Sequence, residues 1–237
     1  MTVYLEWLFW LCLFIPAYVY IFYGLLVRLF VQLRAFSGRR PVPPAFAQQD
    51  LPDITLVIAA WNEEDYIVQK LKNSLALAYP AEKLQIWVVA DGSTDRTTAL
   101  AATFPQVKVW FEPERRGKIH AVNRVMPFVN TEITVYTDAN TMLNPGALKA
   151  LAHSFADVRT GVAAGEKKVV SAEADAAAGA GEGAYWKYES WLKQGDAALY
   201  TAAGAAGELF AVRTALYQPL PEDTLIEDFV LSLNIAA

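Results

Sequence analysis

The sequence predicts an α/β domain with a mostly parallel sheet, preceded by one transmembrane helix. Short apolar runs alternate with stretches of helical spacing from residue 54 onward. The runs are apolar throughout, which is typical of parallel strands buried on both faces. Near the N-terminus, 21 consecutive residues, Trp7 to Val27, carry no charge.

Composition excludes several classes of function. With 54% hydrophobic and 19% charged residues, the 237-residue chain is too apolar to be disordered. A net charge of −5 argues against non-specific nucleic-acid binding, which needs a basic face. A single cysteine, Cys12, and two histidines exclude a disulfide framework and a cysteine- or histidine-rich metal site. Carboxylates or amides must therefore hold any metal ion.

Residues 1–36 are predicted to form the transmembrane helix. At about 1.5 Å per residue, the uncharged segment is long enough to cross a hydrocarbon core of roughly 30 Å. A cleaved signal peptide is the alternative, but no basic residue precedes the segment, it is too long, and no small-x-small cleavage site follows it.

The flanking charges predict the orientation of this helix. Glu6 precedes the uncharged segment, and four arginines follow it: Arg28, Arg34, Arg39 and Arg40. The positive-inside rule then places the N-terminus outside and the rest of the chain in the cytoplasm, so we expect an inner (plasma) membrane protein with a single span in this chain.

Residues 37–53 contain four prolines and no apolar period, so they are predicted to form a stiff linker before an α/β domain at 54–237. Within that domain, ITLVIAA (54–60) predicts a strand, and Ile67, Leu71 and Leu75 give a helix from Glu64 to about Ala76. LQIWVVA (84–90) predicts the second strand, and residues 95–102 a helix.

The alternation of strand and helix continues along the chain. VKVWF (107–111) predicts a strand, 118–125 a helix and ITVYT (133–137) a further strand. Asn144 followed by Pro145 then predicts a helix start. The Ala/Gly-rich tract 172–184 indicates a mobile loop or a weak helix start.

Acidic and amide side chains follow three of the predicted strands. Asn62-Glu63 follows the first, Asp91 to Asp95 the second, and Asp138 with Asn140 the fourth. In open α/β sheets, ligands bind at the carboxyl ends of the strands. A helix N-cap is the alternative for each cluster, and it is the favoured interpretation for Asp95 and Asn144.

These clusters predict how a nucleotide would bind. No G-x-G-x-x-G follows the first strand and no P-loop is present, so a dinucleotide or Walker-type site is excluded. An acidic pocket can hold a diphosphate through a divalent cation, and Mg²⁺ or Mn²⁺ takes carboxylate oxygens together with substrate phosphates. Asp138 and Asn140, two residues apart, can reach one such ion. The sequence therefore points to a metal-bridged nucleoside diphosphate compound.

The order of five motifs, AAWNEE, VVADGSTD, YTDANTML, GAAGELFAVR and IEDF, resembles the family 2 glycosyltransferases with the GT-A fold. The resemblance runs from about Ile54 to the last residue. It implies an enzyme that transfers a sugar from a nucleotide donor, usually a UDP-sugar in this family, to a glycan or lipid acceptor with inversion at the anomeric carbon.

The resemblance also implies roles for individual residues. Asn62, Glu63 and Asp91 would contact the nucleoside of the donor. Asp138 and Asn140 would occupy the metal-binding D-x-D triplet, in the version whose last acid is an amide. Asp228 matches the position of the catalytic base.

Other residues carry two interpretations each. Arg115, Arg116 and Lys118 either meet the donor phosphates, with Lys118 the best placed, or form a solvated basic surface. Gly204 to Glu208, including Gly207, either admits a sugar ring or forms a plain turn. Glu227 and Asp228 either serve as a sugar- or acceptor-pocket residue and the base, or are acidic first-turn residues of a helix, favoured by the helix dipole.

Three aromatic residues after the Ala/Gly-rich tract also have two interpretations. Trp186, Tyr188 and Trp191 either stack on an acceptor sugar or pack along an amphipathic helix.

The Q-x-x-R-W motif and later membrane helices of polymer-making members are not found before Ala237. We therefore expect the chain to be a C-terminally truncated fragment, with a natural short form that lacks acceptor-site elements as the alternative. Two classes follow. The chain is either a metal-dependent glycosyltransferase of cell-envelope glycan synthesis, or a non-catalytic nucleotide-sugar-binding partner within a membrane complex.

Overall fold

The computed structural model describes residues 2–36, 46–167, 176–202 and 204–236. The chain forms two compact units. One unit comprises Met1–Val42 and Lys168–Ala203, and the other comprises Pro43–Lys167 and Gly204–Ala237.

The first unit contains the N-terminal helices. Helix α1 (Thr2–Ala17) continues through a π-helical turn (Tyr18–Phe22) into α2 (Tyr23–Phe36). The π turn follows Pro16, which lacks an N–H group for the helical ladder. Among the described residues, Val3–Phe36 is the one helix that is long and apolar enough to cross a membrane, judged by length and composition.

The same unit contains a long helix that the sequence did not clearly predict. Helix α7 spans Ala176–Leu199, so the later part of the Ala/Gly-rich tract is helical, while its residues 172–175 lie outside the described residues. Tyr188 donates a hydrogen bond to the Tyr20 carbonyl (2.8 Å), and the Trp191 ring packs on Gly24. These contacts favour the packing interpretation of the aromatic residues.

The second unit contains a six-stranded sheet of order β3-β2-β1-β4-β6-β5. The strands are β1 (Ile54–Ala60), β2 (Leu84–Asp91), β3 (Val107–Glu112), β4 (Ile133–Asp138), β5 (Val162–Ala164) and β6 (Leu209–Arg213). The first four strands in this order are mutually parallel, whereas β6 runs antiparallel to both β4 and β5. The predicted mostly parallel α/β sheet is confirmed.

Helices cover both faces of this sheet. They are α3 (Ile67–Leu75), α4 (Thr97–Ala101), α5 (Lys118–Val125), α6 (Ala147–Ser154) and α8 (Glu227–Ala236). One buried cluster joins α3, α4 and α6 to Leu56 and Ile58 of β1. The other cluster joins α5 and α8 to Val57. Val57 lies between Leu56 and Ile58 and points to the opposite face, because side chains alternate across a strand.

Two helix starts differ from the sequence prediction. Helix α3 begins at Ile67 rather than Glu64, because residues 64–66 form a turn in which the Tyr66 N–H donates to the Glu63 carbonyl (3.0 Å). Asn62, just before this turn, lies in the left-handed region at φ 53°. Helix α6 begins at Ala147, after a turn in which the Asn144 carbonyl accepts from the Ala147 N–H (3.0 Å).

The buried face of α3 also differs from the prediction. Lys70 and Ser74 are fully buried beside Ile67 and Leu71, whereas Leu75 is exposed. The C-terminal part of the predicted linker belongs to the folded domain. Residues 37–45 of the linker lie outside the described residues, but Leu51 is buried in the core and its carbonyl accepts a hydrogen bond from Lys83 (2.6 Å).

We expect Leu71→Ala to lower the free energy of unfolding by about 2–5 kcal/mol, because the side chain is fully buried in the cluster beneath α3 and its loss leaves a cavity. Leu75→Ala, on the same helix but exposed, should change it by less than about 0.5 kcal/mol. Urea unfolding of the chain in detergent, followed by tryptophan fluorescence, measures both values. Equal destabilisation by the two substitutions would contradict the observed face of α3.

Candidate functional site

The site lies at the carboxyl ends of β1, β2 and β4. Strand order reverses at β1, since β2 and β3 lie on one side of it and β4 on the other. In register, Ala59 pairs with Asp138 and Ala60 with Ala90, so the three strands end at the same level. A crevice at such a switch point is where ligands bind in open α/β sheets.

The loops after β1 and β2 are joined by side chain–backbone hydrogen bonds. Asn62 Oδ1 accepts from the Thr94 N–H (2.8 Å), and the Glu63 N–H donates to Thr97 Oγ1 (2.8 Å). The left-handed backbone of Asn62 suits an amide side chain that bonds locally. The predicted residues Asn62 and Glu63 therefore stand at a rigid corner of the site.

Asp95 belongs to the same corner but has a structural role. Its Oδ1 accepts from the N–H and hydroxyl of Thr97, the first residue of α4, and its Oδ2 from the Glu64 N–H. Burial opposes ionisation, but these hydrogen bonds outweigh it and lower the pKa of Asp95. Arg96 occupies the N-cap position of α4, so Asp95 stabilises the start of this helix from one residue before the predicted N-cap position.

Asp91 is held by the chain segment before α5. Its carboxylate is buried and accepts from the N–H groups of Arg116 (3.1 Å) and Gly117 (2.6 Å). The segment can approach because Gly92 has no side chain and takes φ 65°. A Cβ at that position would lie 2.5–2.7 Å from Arg115.

Asp91 also belongs to an acidic–histidine group. Single ligand atoms of Asp91, Glu112 and His120 lie within 4.8 Å of one another. Glu112 Oε2 already lies 3.5 Å from Arg124 Nε, which supplies a positive charge to this group. This positive charge makes the Asp91–Glu112–His120 group less suitable for a divalent cation than the oxygen ligands of Asp138 and Asn140.

The centre of the site is an ion triad. Lys118 Nζ lies 2.9 Å from Asp138 Oδ1 and 2.7 Å from Glu227 Oε1. Burial lowers the pKa of the Lys118 ammonium, but the two carboxylates outweigh this and raise it. The structure thus brings together three residues that the sequence analysis singled out separately.

The three neighbouring basic residues point to different partners. The Arg115 guanidinium stacks on the Trp61 ring, 3.4 Å from its centroid. Arg116 pairs with Glu222 at 3.1 Å, and only Lys118 of the three contacts the triad carboxylates. The Trp61–Arg115 stack was not foreseen, since the two residues are far apart in the sequence.

The donor set around Asp138 suits a hard divalent cation. Asp138 offers a partly exposed carboxylate, and Asn140, which is exposed, offers an amide oxygen two residues later. Mg²⁺ and Mn²⁺ prefer such oxygen ligands and leave further positions to water or phosphate. The Glu63 carboxyl lies near the same locus: burial, followed by the negative charges of Asp138 and Asp95, raises its pKa.

The remaining predicted residues lie where α8 meets the loop before β6. The Asp228 carboxylate lies against Gly207, where an added Cβ would be 3.0 Å from Asp228 Oδ2. Glu208 Oε1 lies 2.7 Å from Lys167 Nζ, so its carboxylate is ion-paired. Lys70, fully buried beneath the Asp138–Asn140 turn, was not predicted as part of the site; its helical position beside Ile67 and Leu71 was the available signal.

Comparisons with known proteins agree with this geometry. Residues 55–217 match the family model Glycosyl transferase family 2. The chain is 28% identical over 201 residues to a beta-monoglucosyldiacylglycerol synthase of a Nostoc species, covering 79% of this chain and 42% of the relative. It is 29% identical over 130 residues to a poly-beta-1,6-N-acetyl-D-glucosamine synthase of Staphylococcus aureus, covering 53% of this chain and 31% of the relative.

Solved structures share the fold. A mannosyltransferase from Pyrobaculum calidifontis, in complex with GDP-Man and Mn²⁺, superposes with a TM-score of 0.68 at 25% identity, over 88% of this chain and 59% of that one. TarS from S. aureus, in complex with UDP-GlcNAc, gives 0.57 at 17% identity, over 78% and 53%. The chain therefore belongs to glycosyl transferase family 2 and has a GT-A-type fold.

Proposed function

We propose that this family 2 glycosyltransferase transfers a sugar from a UDP-sugar to a glycan or lipid acceptor with inversion, using a divalent cation and Asp228 as general base. The observation that carries the proposal is the Asp138–Lys118–Glu227 triad at the switch point of the sheet, with Asp228 next in the chain. The chain spans 42% of the length of the lipid glucosyltransferase relative, so the activity of the whole protein is part of this proposal.

Two groups of residues would bind the two parts of the donor, the nucleoside and the diphosphate. Asn62, Glu63 and Asp91, fixed by backbone contacts, would bind the nucleoside, since a buried carboxylate selects hydroxyl and N–H donors of ribose and base. Asp138 and Asn140 would hold Mg²⁺ or Mn²⁺, which supplies positive charge to the leaving diphosphate when bound. Lys118, already between two carboxylates, is placed to contact the same phosphates.

The chemistry requires one proton acceptor. The acceptor hydroxyl attacks the anomeric carbon as the bond from that carbon to the diphosphate oxygen breaks, and the nucleoside diphosphate leaves with its electron pair. The hydroxyl proton passes to the Asp228 carboxylate, which general-base catalysis requires within hydrogen-bond reach. The Asp228 carboxylate lies against Gly207, which has no side chain to obstruct it. We assign Gly207 and the chain neighbours of the pair, Glu208 and Glu227, to the sugar or acceptor pocket.

The names of the relatives support the proposed acceptor, and the charge pattern supports the proposed location. One relative is named for diacylglycerol glucosylation and another for a polysaccharide, so a lipid or glycan acceptor is proposed. The apolar helix Val3–Phe36 would anchor the chain in the inner (plasma) membrane, with the site in the cytoplasm, where nucleotide sugars are made. Other subunits of a membrane complex are compatible partners.

Asp138→Ala should abolish the Mn²⁺-dependent part of UDP binding, because it removes the only carboxylate of the triplet. Isothermal titration of UDP, with Mn²⁺ and with EDTA, measures that part. Asp157→Ala is the matched control, since Asp157 pairs with Arg159 in a turn remote from the triplet. Unchanged Mn²⁺-dependent affinity in Asp138→Ala would reject this metal site.

Asp228→Asn should lower the turnover number by roughly 10²–10⁴-fold while the Kd for UDP stays within about threefold, because the amide cannot accept a proton at neutral pH. Radiolabelled sugar transfer and UDP titration measure the two quantities. If the substitution weakens UDP binding as much as Asp138→Ala does, Asp228 belongs to the donor site. Glu208, despite its pairing with Lys167, would then be the next candidate base.

The orientation predicts protection from external protease. In right-side-out cells or spheroplasts, protease added outside should spare residues 46–237, since four arginines after the apolar segment keep that side in the cytoplasm. The same protease should digest them after permeabilisation, which serves as the control. Cleavage in intact spheroplasts would reverse the orientation.

A further inference from the structure

Lys70 is the largest fully buried side chain among the described residues. It lies on α3, and its ammonium is removed from water at a cost that hydrogen bonds must offset. Burial lowers the pKa of Lys70 to about 7, and the negative charge of Asp138 opposes this shift. An apolar residue of similar volume would fill the position at lower cost, so a cation here calls for an explanation.

The contacts of Lys70 frame the metal-binding triplet. Its Nζ donates to Thr137 Oγ1 at 2.9 Å and to the Thr141 carbonyl. Thr137 directly precedes Asp138, and Thr141 directly follows Asn140. One ammonium therefore binds the chain on both sides of the triplet, while its partners are neutral oxygens rather than the metal ligands themselves.

A second side chain of α3 supports the same segment. Asn73, three residues after Lys70, donates to the Leu143 carbonyl (2.9 Å) and accepts from the Leu143 N–H (2.8 Å). The turn from Asp138 to Leu143 is thus fixed from behind by α3. The contacts of Lys70 are closer to the triplet than those of Asn73, because Thr137 and Thr141 flank the triplet directly in the sequence.

The Lys70 contacts extend to the side of the site that holds the base. Thr137 Oγ1, which accepts from Lys70, donates in turn to the Glu208 carbonyl at 3.0 Å. Glu208 follows Gly207, the residue against which the Asp228 carboxylate lies. Lys70 and Thr137 therefore connect the triplet on β4 to the loop before β6.

We propose that Lys70 is a positioning residue that, through Thr137, fixes the metal-binding triplet relative to the Gly207–Glu208 loop. The inference rests on the proposed function, in which Asp138 and Asn140 bind the cation. Groups behind metal ligands orient them, and their loss costs roughly 10–100-fold in metal affinity or activity.

The sign of the effect separates positioning from simple electrostatics. A positive charge near Asp138 repels a second cation, so charge alone predicts tighter Mn²⁺ binding when Lys70 is neutralised. Positioning predicts weaker binding, because Thr137 and the Thr141 carbonyl lose their donor. Lys70→Met, which keeps the unbranched stem and removes the charge, distinguishes the two.

The first test is the Mn²⁺-dependent affinity for UDP, titrated in detergent for the wild-type chain, Lys70→Met, Lys72→Met and Asp138→Ala. Lys72 is exposed on the same helix, so its substitution is the matched control. Lys70→Met should weaken this affinity by roughly 10–100-fold, and Lys72→Met should leave it within about twofold. Thermal unfolding of each variant, monitored in parallel, shows whether it is folded at the titration temperature.

The second test uses Thr137 and does not depend on Lys70→Met folding. Thr137→Ser keeps the hydroxyl that accepts from Lys70 and donates to Glu208, whereas Thr137→Val keeps the shape and removes it. The valine variant should lose Mn²⁺-dependent affinity and turnover by roughly 10–100-fold, and the serine variant should retain most of both.

The outcomes are distinct. Lys70→Met or Thr137→Val with unchanged or tighter Mn²⁺-dependent binding overturns the inference while leaving the metal site intact, provided Asp138→Ala abolishes that binding. Equal losses in Thr137→Ser and Thr137→Val also overturn it, because the hydroxyl would then have no part. If Asp138→Ala has no effect, the metal assignment of the proposed function fails and the inference fails with it.

Discussion

The site depends on one cation placed between two carboxylates. Lys118 Nζ contacts Asp138, at the end of β4, and Glu227, at the start of α8, so elements that are distant in the sequence meet through a single ammonium. Without it, two carboxylates would face each other in a partly buried crevice and repel. Partly exposed ion pairs contribute little to stability. The importance of Lys118 therefore lies in the charge balance of the crevice, and only a cation or a cation-bound diphosphate could take over that role.

The sheet explains why so many acidic groups stand together. Parallel strands point their carboxyl ends to one edge, and the reversal of strand order at β1 opens a crevice there. Asp91 is stabilised at this edge by the N–H groups of Arg116 and Gly117 rather than by a positive side chain. The negative charge of Asp91 is stabilised by backbone N–H dipoles, which are fixed in the fold. Asp138, by contrast, is paired with the side chain of Lys118. This difference agrees with the proposed roles, in which Asp91 binds the nucleoside and Asp138 binds the cation.

The sequence predicted the sheet well because buried parallel strands are continuous apolar runs, and the order of the motifs identified the strand ends. It predicted less about contacts. Nothing local indicates that Lys118 meets Glu227, since such pairs arise only when the chain folds. The Lys70 ammonium was missed because lysine on a short helix normally faces solvent. Helix α7 was weakly foreseen, because an alanine- and glycine-rich tract combines strong and poor helix formers, and packing against α2 then contributes to the outcome.

The two lysines of the site differ in a way that suits an enzyme whose ligands exchange. Lys70 is fully buried and bonds to a hydroxyl and a backbone carbonyl, so a charged ligand has no route to displace it. Lys118 is about one-third exposed and bonds to carboxylates that can also bind a metal ion or face an incoming phosphate. In the proposed reaction, Asp138 must pass from a lysine to a divalent cation at each donor binding. That exchange requires the backbone beneath Asp138 to stay in place, and a buried ammonium bonded on both sides of the triplet meets this requirement.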